Sequence, residues 1–286
     1  MLSYSNSAPL NSMSNLLRPL STGELLDRTF SIYRRNFVLF FTIAALPQLL
    51  IFGGQLGFVL ASGKTLTATT FGAADGLLLV AYVLIGVIVL VFVTSAAQVA
   101  TINALASMYM DQPTSIGAAF ASIKGKVART AGVMFVTTFA IGLGFIAFIA
   151  PGIILALRWA LVLPCTVLEG TGGADSRSRS TFLTEDFRGR IFLIVFLYFV
   201  LFYLLSILGV MPLAIGAGIQ AARAHSQQFP VWYFALSYLV NFGVASLVSP
   251  ILTIALTLQY FDGRIRKEGY DLQLMMSAAT AGAPSA

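Results

Sequence analysis

The sequence predicts an all-α polytopic membrane protein with six transmembrane helices, cytoplasmic amphipathic elbow helices and both termini in the cytoplasm. The first of three observations is composition, because 58% of the 286 residues are hydrophobic and only 10% are charged. Soluble domains carry about 25% charged residues, and a soluble fold of this length could not bury so much apolar surface. The other two observations are a series of apolar runs and an uneven distribution of basic residues.

Six long apolar runs follow one another along the chain, and a membrane-spanning helix needs roughly 20 apolar residues. The runs cover residues 37–61, 77–110, 130–150, 152–168, 191–219 and 232–261. The second, fifth and sixth exceed the required length, so we expect them to tilt or to continue as helix beyond the membrane. Only Ala150-Pro151-Gly152 separates the third and fourth runs, which could form a tight hairpin or one broken helix.

Basic residues decide between these alternatives, because positively charged loops stay in the cytoplasm. Basic clusters precede the third run and follow the fourth, which requires an even number of crossings and favours the hairpin. Of the 17 basic residues, Lys64 and Arg223 fall in predicted outer loops and Arg158 falls within a span. All the others fall in predicted cytoplasmic segments, which indicates six spans with both termini inside.

Amphipathic segments precede the odd-numbered spans. Residues 21–37 have a helical pattern, and Ser21-x-x-Glu24 is typical of a capping box. The predicted apolar face consists of Leu26, Phe30, Tyr33 and Phe37, helped by Leu25 and Ile32. We expect this helix to lie in the cytoplasmic interface. A similar segment after Pro113 and a weaker one after Gly173 suggest a threefold repeat of elbow and hairpin, although any protein of this topology carries basic residues at such positions.

Two tails flank the membrane domain, which we place at residues 17–274. Residues 1–16 are rich in Ser and Asn, and residues 275–286 are rich in Ala, Gly, Pro and Ser, so both are predicted to be disordered. No signal-peptide pattern is visible. The net charge of +6 comes from residues that flank apolar runs. Membrane lipids and other membrane proteins are therefore the partners we expect, and nucleic acid is not.

Arg158 is the most informative single residue, because a charge within a span costs at least about 2.5 kcal/mol. Its side chain could snorkel outward beside Trp159, or it could bind a ligand or a lipid headgroup. Glu169 lies three helical turns further on, on the same face but roughly 16 Å away. Any partner of Arg158 must therefore come from another helix.

Residues 262–271 leave the sixth span with three acids interleaved with three bases. Mixed charges favour specific pairing over a lipid tether, so we expect this segment to fold back on the elbow helices as a cytoplasmic clasp. The alternative is an ordinary solvated helix end. The expected basic partners are Arg34, Arg35, Arg177 and Arg179. The candidate ligand-binding or structural polar site consists of Arg158, Glu169, Asp262 and Arg264.

Patterns typical of catalysis or metal binding are missing from the sequence. The single histidine, His225, and the single cysteine, Cys165, have no neighbours at ligand spacing, and no hydrolase or nucleotide-binding motif occurs. We therefore expect no enzymatic activity, metal or cofactor. Polar residues within the spans favour interhelical hydrogen bonds over a lined pathway; they are Gln48, Gln55, Gln98, Asn103, Asn241 and Gln259. Prolines at 47, 164, 212 and 250 predict kinks or broken helices.

Three stretches carry a family resemblance. They are LRPLSTGELLD at 17–27 with YRRNF at 33–37, then PGI at 151–153 with the later Arg158-Trp159, Pro164, Glu169-Gly170 and Arg179-Ser180, and finally QYFDGRIRKEGYDL at 259–272. Over residues 17–274 the chain resembles the prokaryotic six-helix family called the glycerophosphoryl diester phosphodiesterase membrane domain, related to YciC-like inner-membrane proteins. The resemblance implies a prokaryotic inner membrane. We do not expect phosphodiesterase activity, because we expect this chain to lack the catalytic barrel that is fused to some members.

Two functions fit these observations. The first is a non-enzymatic membrane scaffold or lipid-interacting module. The alternative is a small transporter or lipid-handling protein with a site near Arg158. Solidly packed spans favour the first, and a polar-lined cavity among the spans favours the second.

Overall fold

The computed structural model describes residues 20–62, 73–110, 112, 114–225 and 229–269, which form ten α-helices and, within those ranges, no strand. The helices are α1 (Thr22–Arg35), α2 (Phe37–Ser62), α3 (Ala73–Tyr109), α4 (Ile116–Ala121), α5 (Val127–Ala147), α6 (Ile149–Arg158), α7 (Val162–Glu169), α8 (Gly173–Thr184), α9 (Arg188–Arg223) and α10 (Val231–Glu268). The tails predicted at 1–16 and 275–286 lie outside the described residues.

Six segments are long and apolar enough to cross a membrane, as predicted. They are Phe37–Gly57, Val80–Tyr109, Val127–Ala147, Ile149–Glu169, Arg188–Arg223 and Val231–Glu268. Their mean hydropathy lies between 1.8 and 2.9, and most of their large apolar side chains point outward, as a lipid solvent requires. The chain is therefore an all-α, multi-pass membrane protein.

The six spans form a closed ring. The first span, in α2, packs between α3 and α10, and the ring continues from α3 through α5, α6 and α9 back to α10. The fourth span is interrupted and consists of α6 followed by α7. The last helix, α10, also contacts α3 across the ring, so it is the element around which the others pack.

The short helices α1, α4 and α8 all lie at one end of the ring, which we call the elbow end. The backbone N–H of Leu20, just before α1, donates to Asp262 near the end of α10. Asn103 near the end of α3 donates to Ser122 after α4, and Lys267 of α10 donates to the carbonyl of Phe182 in α8. The element order therefore repeats three times as an elbow helix followed by a hairpin.

The first elbow helix has the predicted cap and a different buried face. The Ser21 side chain accepts from the Glu24 backbone N–H, and the Glu24 carboxylate accepts from the Ser21 N–H, which completes the capping box. The buried residues are Leu25, Thr29 and Tyr33, spaced by four along the face that packs on α10. Phe30 and Phe37, predicted on the apolar face, are 49% and 40% exposed. The sequence pattern correctly predicted the helix, but it did not show which apolar residues face the protein and which face outward.

The third and fourth spans form the predicted hairpin, with its turn at a different residue. Phe148 alone separates α5 from α6 and has an extended conformation. Pro151 and Gly152, expected to form the turn, lie in the first turn of α6, where proline is tolerated because its missing N–H has no helical acceptor. Gly152 permits a close approach, since a Cβ atom there would lie 2.5 Å from the Phe145 ring.

Candidate functional site

The fourth span is broken near its midpoint. Helix α6 ends at Arg158, α7 begins at Val162, and Pro164 occupies the first turn of α7, where it removes no helical hydrogen bond. The break is held by α8. The hydroxyl of Ser180 accepts from the Leu161 N–H (3.1 Å) and donates to the Arg158 carbonyl (2.9 Å), and Thr184 donates to the same carbonyl (3.2 Å). Backbone groups that the break frees are thereby paired with side chains of α8.

A cavity of about 330 Å³ lies beside this break and is lined by residues of all six spans. Trp159 and Ala160 of the break form part of its wall, together with Pro47, Pro164 and Pro250. Its polar lining consists of Gln48, Thr94, Gln98, Thr101, Thr137, Thr138, Tyr198, Ser249 and Thr253. No residue of the lining carries a charge. The cavity therefore offers neutral hydrogen-bonding groups within an otherwise apolar wall.

Thr137 is the polar group of this wall with an unused hydrogen-bonding capacity. The residue is 8% exposed, and its hydroxyl has no hydrogen-bond partner among the residues that the structure describes. Leaving a buried polar group unpaired costs about 1–3 kcal/mol. Thr94, Thr101 and Thr253 of the cavity each donate to a carbonyl of their own helix. Thr137 is thus an unpaired hydroxyl that is buried in the wall of the cavity.

At the elbow end, Asp262 is the centre of a buried charge network. Its side chain is 1% exposed, and one carboxylate oxygen accepts from Arg190 (2.8 Å) and Arg266 (2.9 Å). The other oxygen accepts from the backbone N–H of Leu20 (2.7 Å). Both arginines also donate to the Leu20 carbonyl. One carboxylate therefore joins the segment before α1, the start of α9 and the end of α10.

A second network joins α7, α8 and α10 around Glu169. Arg179 donates to both Glu169 oxygens (3.0 and 2.9 Å) and also pairs with Glu268. The Tyr260 hydroxyl donates to Glu169 (2.8 Å), and Arg264 donates to Glu268 (3.0 Å). The pKa of Arg179 is raised above its ordinary value by its hydrogen bond to Glu268 and, less strongly, by Glu169, against the lowering effect of burial. The network fixes the last two turns of α10 as helix.

The four predicted site residues do not form one site. Glu169 and Arg264 share a network, Asp262 is the centre of the other network, and Arg158 stands apart. The side chain of Arg158 is exposed and, among the described residues, makes no hydrogen bond or ion pair. Because the helix breaks after Arg158, the argument that Arg158 and Glu169 share a helix face was wrong. The basic residue that pairs with Glu169 is Arg179.

The expected clasp has a different form and mostly different partners. Residues 262–268 continue α10 as helix rather than folding back, and the elbow helices pack against them. Of the four expected basic partners, Arg179 pairs with this segment. Arg34 and Arg35 are exposed, and the Arg177 guanidinium lies over the Trp159 ring, 5.8 Å from its centroid. Residues 270 and 271 lie outside the described part of the chain.

Sequence reasoning missed two functional features. Arg190 was assigned only to topology, although its position at the start of a span opposite the end of the next one makes it a natural partner for Asp262. The unpaired hydroxyl of Thr137 had no sequence signal, because threonine is common in spans and usually bonds its own helix. Gln48 and Gln98, expected to pair between helices, line the cavity instead.

The part of the chain that the structure describes contains no group of three or more histidine, cysteine or acidic side chains placed to hold a metal ion. No family, curated protein or solved structure matches this chain. The family resemblance therefore stays a prediction.

Proposed function

We propose that this protein binds an uncharged, amphipathic small molecule in the cavity between its spans, as a small transporter or lipid-handling protein of the prokaryotic inner membrane. The cavity is the single observation that carries this proposal. Its volume, about 330 Å³, lies within the range of small-molecule sites, which are mostly apolar with a few convergent polar groups.

The chemistry of the wall supports an uncharged ligand. A charged group moved into a low-dielectric site without a counter-charge is strongly disfavoured, and the lining contains no acid or base. Hydroxyl and carboxamide groups instead favour a ligand with hydroxyl, ester or carbonyl oxygens. The apolar remainder, which includes Ile102, Leu163 and Leu256, favours a hydrocarbon tail.

The interrupted fourth span supports a role that requires movement. Broken helices commonly build substrate sites in transporters, because irregular backbone is tolerated where it lines a cavity. Here the break at Trp159 and Ala160 borders the cavity directly. Its backbone is held by the Ser180 and Thr184 hydroxyls, which can exchange partners at small cost when the two helix segments shift.

A membrane scaffold without a small-molecule ligand is the second candidate. The dense packing of the elbow end favours it, because every residue from Thr257 to Gly263 is buried. This function is the one that remains if the cavity binds nothing.

Tryptophan fluorescence provides a direct test. The chain has two tryptophans, so the variant Trp232→Phe leaves Trp159 in the cavity wall as the sole reporter. We expect monooctanoylglycerol to shift the Trp159 emission saturably in neutral detergent. We expect octyltrimethylammonium, which has an eight-carbon tail and a cationic head that the nearby arginines do not attract, to bind at least tenfold more weakly.

The matched controls are two threonine-to-valine variants. Thr138→Val removes a hydroxyl that lines the cavity and should weaken monooctanoylglycerol binding about two- to tenfold, the equivalent of one hydrogen bond. Thr181→Val, on α8 away from the cavity, should leave binding unchanged. No saturable shift with monooctanoylglycerol, or equal binding of octyltrimethylammonium, contradicts the proposal.

A further inference from the structure

Three arginines that form no ion pair within the described part of the chain flank the junction of α6, α8 and α9. They are Arg158 at the end of α6, Arg177 on α8 and Arg188 at the start of α9. None of them forms an ion pair with a described residue, whereas Arg179, Arg190, Arg264 and Arg266 all do. The Nε atom of Arg188 is buried without a hydrogen-bond partner among the described residues. With the acids Asp175 and Glu185 at the two ends of α8 counted against them, the three arginines leave the junction with a net positive charge.

Contacts of Thr184 bring the arginines of α6 and α9 together. The Thr184 hydroxyl donates to the carbonyl of Arg158 (3.2 Å), and the Thr184 carbonyl accepts from the N–H of Phe187 (3.0 Å), the residue before Arg188. Ser180, one turn earlier on α8, contacts the same Arg158 carbonyl, and Arg177 lies one turn earlier again. All three arginines thus project from a small region fixed by hydrogen bonds.

Apolar side chains continue from this charged region along the membrane. Ile154 lies one turn before Arg158 on the same face of α6 and is 50% exposed, and Phe192 lies one turn after Arg188 on α9 and is 47% exposed. Because α6 runs toward the elbow end and α9 runs away from it, both residues lie on the membrane side of their arginine. A molecule with an anionic head and hydrocarbon chains fits this arrangement, because its head would meet the arginines and its chains would meet Ile154 and Phe192.

We infer that the α6–α8–α9 junction is a binding site for one anionic phospholipid. Its phosphate is bound by the guanidinium groups of Arg158 and Arg188, with Arg177 adjacent over the Trp159 ring, and its acyl chains lie along Ile154 and Phe192. Guanidinium groups suit this role because they pair with phosphate through two parallel hydrogen bonds. A soluble anion uses only half of the surface, so the lipid is the better match. The site adjoins the cavity, since Trp159 belongs to both, but the cavity lining holds no charge.

Native mass spectrometry of the full chain in neutral detergent tests the inference, with phosphatidylglycerol and phosphatidylcholine of identical acyl chains as probes. We expect one phosphatidylglycerol to be retained in preference to phosphatidylcholine. Arg158→Gln and Arg188→Gln should each weaken its retention on the order of tenfold, because each removes a charge-assisted hydrogen-bond pair. Arg34→Gln, which removes an exposed arginine of α1, is the matched control and should have no effect.

Several results overturn the inference. Equal loss of phosphatidylglycerol in Arg34→Gln shows general attraction to positive charge rather than a site. Displacement of the lipid by inorganic phosphate at equal concentration shows a soluble-anion site. Unchanged retention of phosphatidylglycerol in both Arg158→Gln and Arg188→Gln contradicts the inference. If Arg158→Gln does not fold, Arg158→Lys replaces it: we expect severalfold weaker retention because lysine lacks the planar fork, and wild-type retention in that variant is contrary to the inference.

Discussion

Replacing Asp262 with asparagine removes one charge and preserves the shape of the side chain. In the native protein both carboxylate oxygens accept, one from Leu20 and the other from Arg190 and Arg266. An asparagine has one oxygen and one NH₂ group. Whichever way it is oriented, its NH₂ group faces at least one N–H donor, so the network cannot be satisfied by an amide.

The expected cost follows from burial. The side chains of Asp262 and Arg190 are 1% and 9% exposed, and breaking a buried pair by changing one partner costs about 3–5 kcal/mol. We expect a loss of about 3 kcal/mol, the lower end of that range, because Arg190 keeps the carbonyls of Leu20 and Ser21 as acceptors. For a chain of this size, that corresponds to a decrease in Tm of roughly 6–12 °C.

Thermal unfolding in detergent, followed by fluorescence-detected size exclusion, measures this effect. The matched control is Asp186→Asn, since Asp186 also pairs with a basic residue of α10, Lys267, but its side chain is 66% exposed. Exposed pairs contribute about 0–1 kcal/mol. The double variant with Arg190→Gln should recover part of the loss, because it removes the unpaired charge. Equal Tm values for Asp262→Asn and Asp186→Asn refute the reasoning.

Three further predictions concern packing, pH and topology. Gly152→Ala should be about 1–3 kcal/mol less stable than Gly142→Ala, since a Cβ atom meets the Phe145 ring at the first position and nothing within 4 Å at the second; equal melting of the two variants contradicts this. Burial raises the pKa of Tyr33 from its ordinary value of 10.0 to about 12, so the unfolded chain ionises first and stability should fall between pH 10 and about 12. Tyr33→Phe should remove that part of the pH dependence, and an unchanged profile counts against it. If the charge asymmetry sets the orientation, an impermeant thiol reagent should label Arg223→Cys but not Lys126→Cys in intact cells, and the reverse pattern overturns the assigned topology.

The six spans could be predicted from sequence because hydrophobic length is a local property. Each apolar run is read from its own residues, and the capping box of α1 depends only on Ser21 and Glu24. The interruption of the fourth span was predicted only as one of four kinks or breaks at prolines, and the sequence did not distinguish Pro164 from the other three. Whether a proline kinks a helix or begins a new one depends on which side chains pair with the freed backbone. Here those side chains, Ser180 and Thr184, come from α8.

Pairing between distant segments was harder to predict. Mixed charge in residues 262–268 correctly indicated specific ion pairs, yet the sequence did not identify Arg190 as the partner of Asp262. Several arginines were equally eligible by topology, and only the packing of α9 against α10 selects among them. The cavity also depends on packing, because its wall collects a few residues from each of six spans that are far apart in sequence.

The hydrogen bond between Leu20 and Asp262 joins residues 242 positions apart, which has a consequence for how the chain is assembled. During synthesis α1 emerges from the ribosome first, and its docking surface on α10 emerges last. The face of α1 formed by Leu25, Thr29 and Tyr33 therefore stays unpacked until α10 has entered the membrane. Arg190 likewise stays without its ion-pair partner Asp262 until then. A chain that stops before Val231 keeps this face and this charge exposed, so the elbow end is completed only when the last helix has been made.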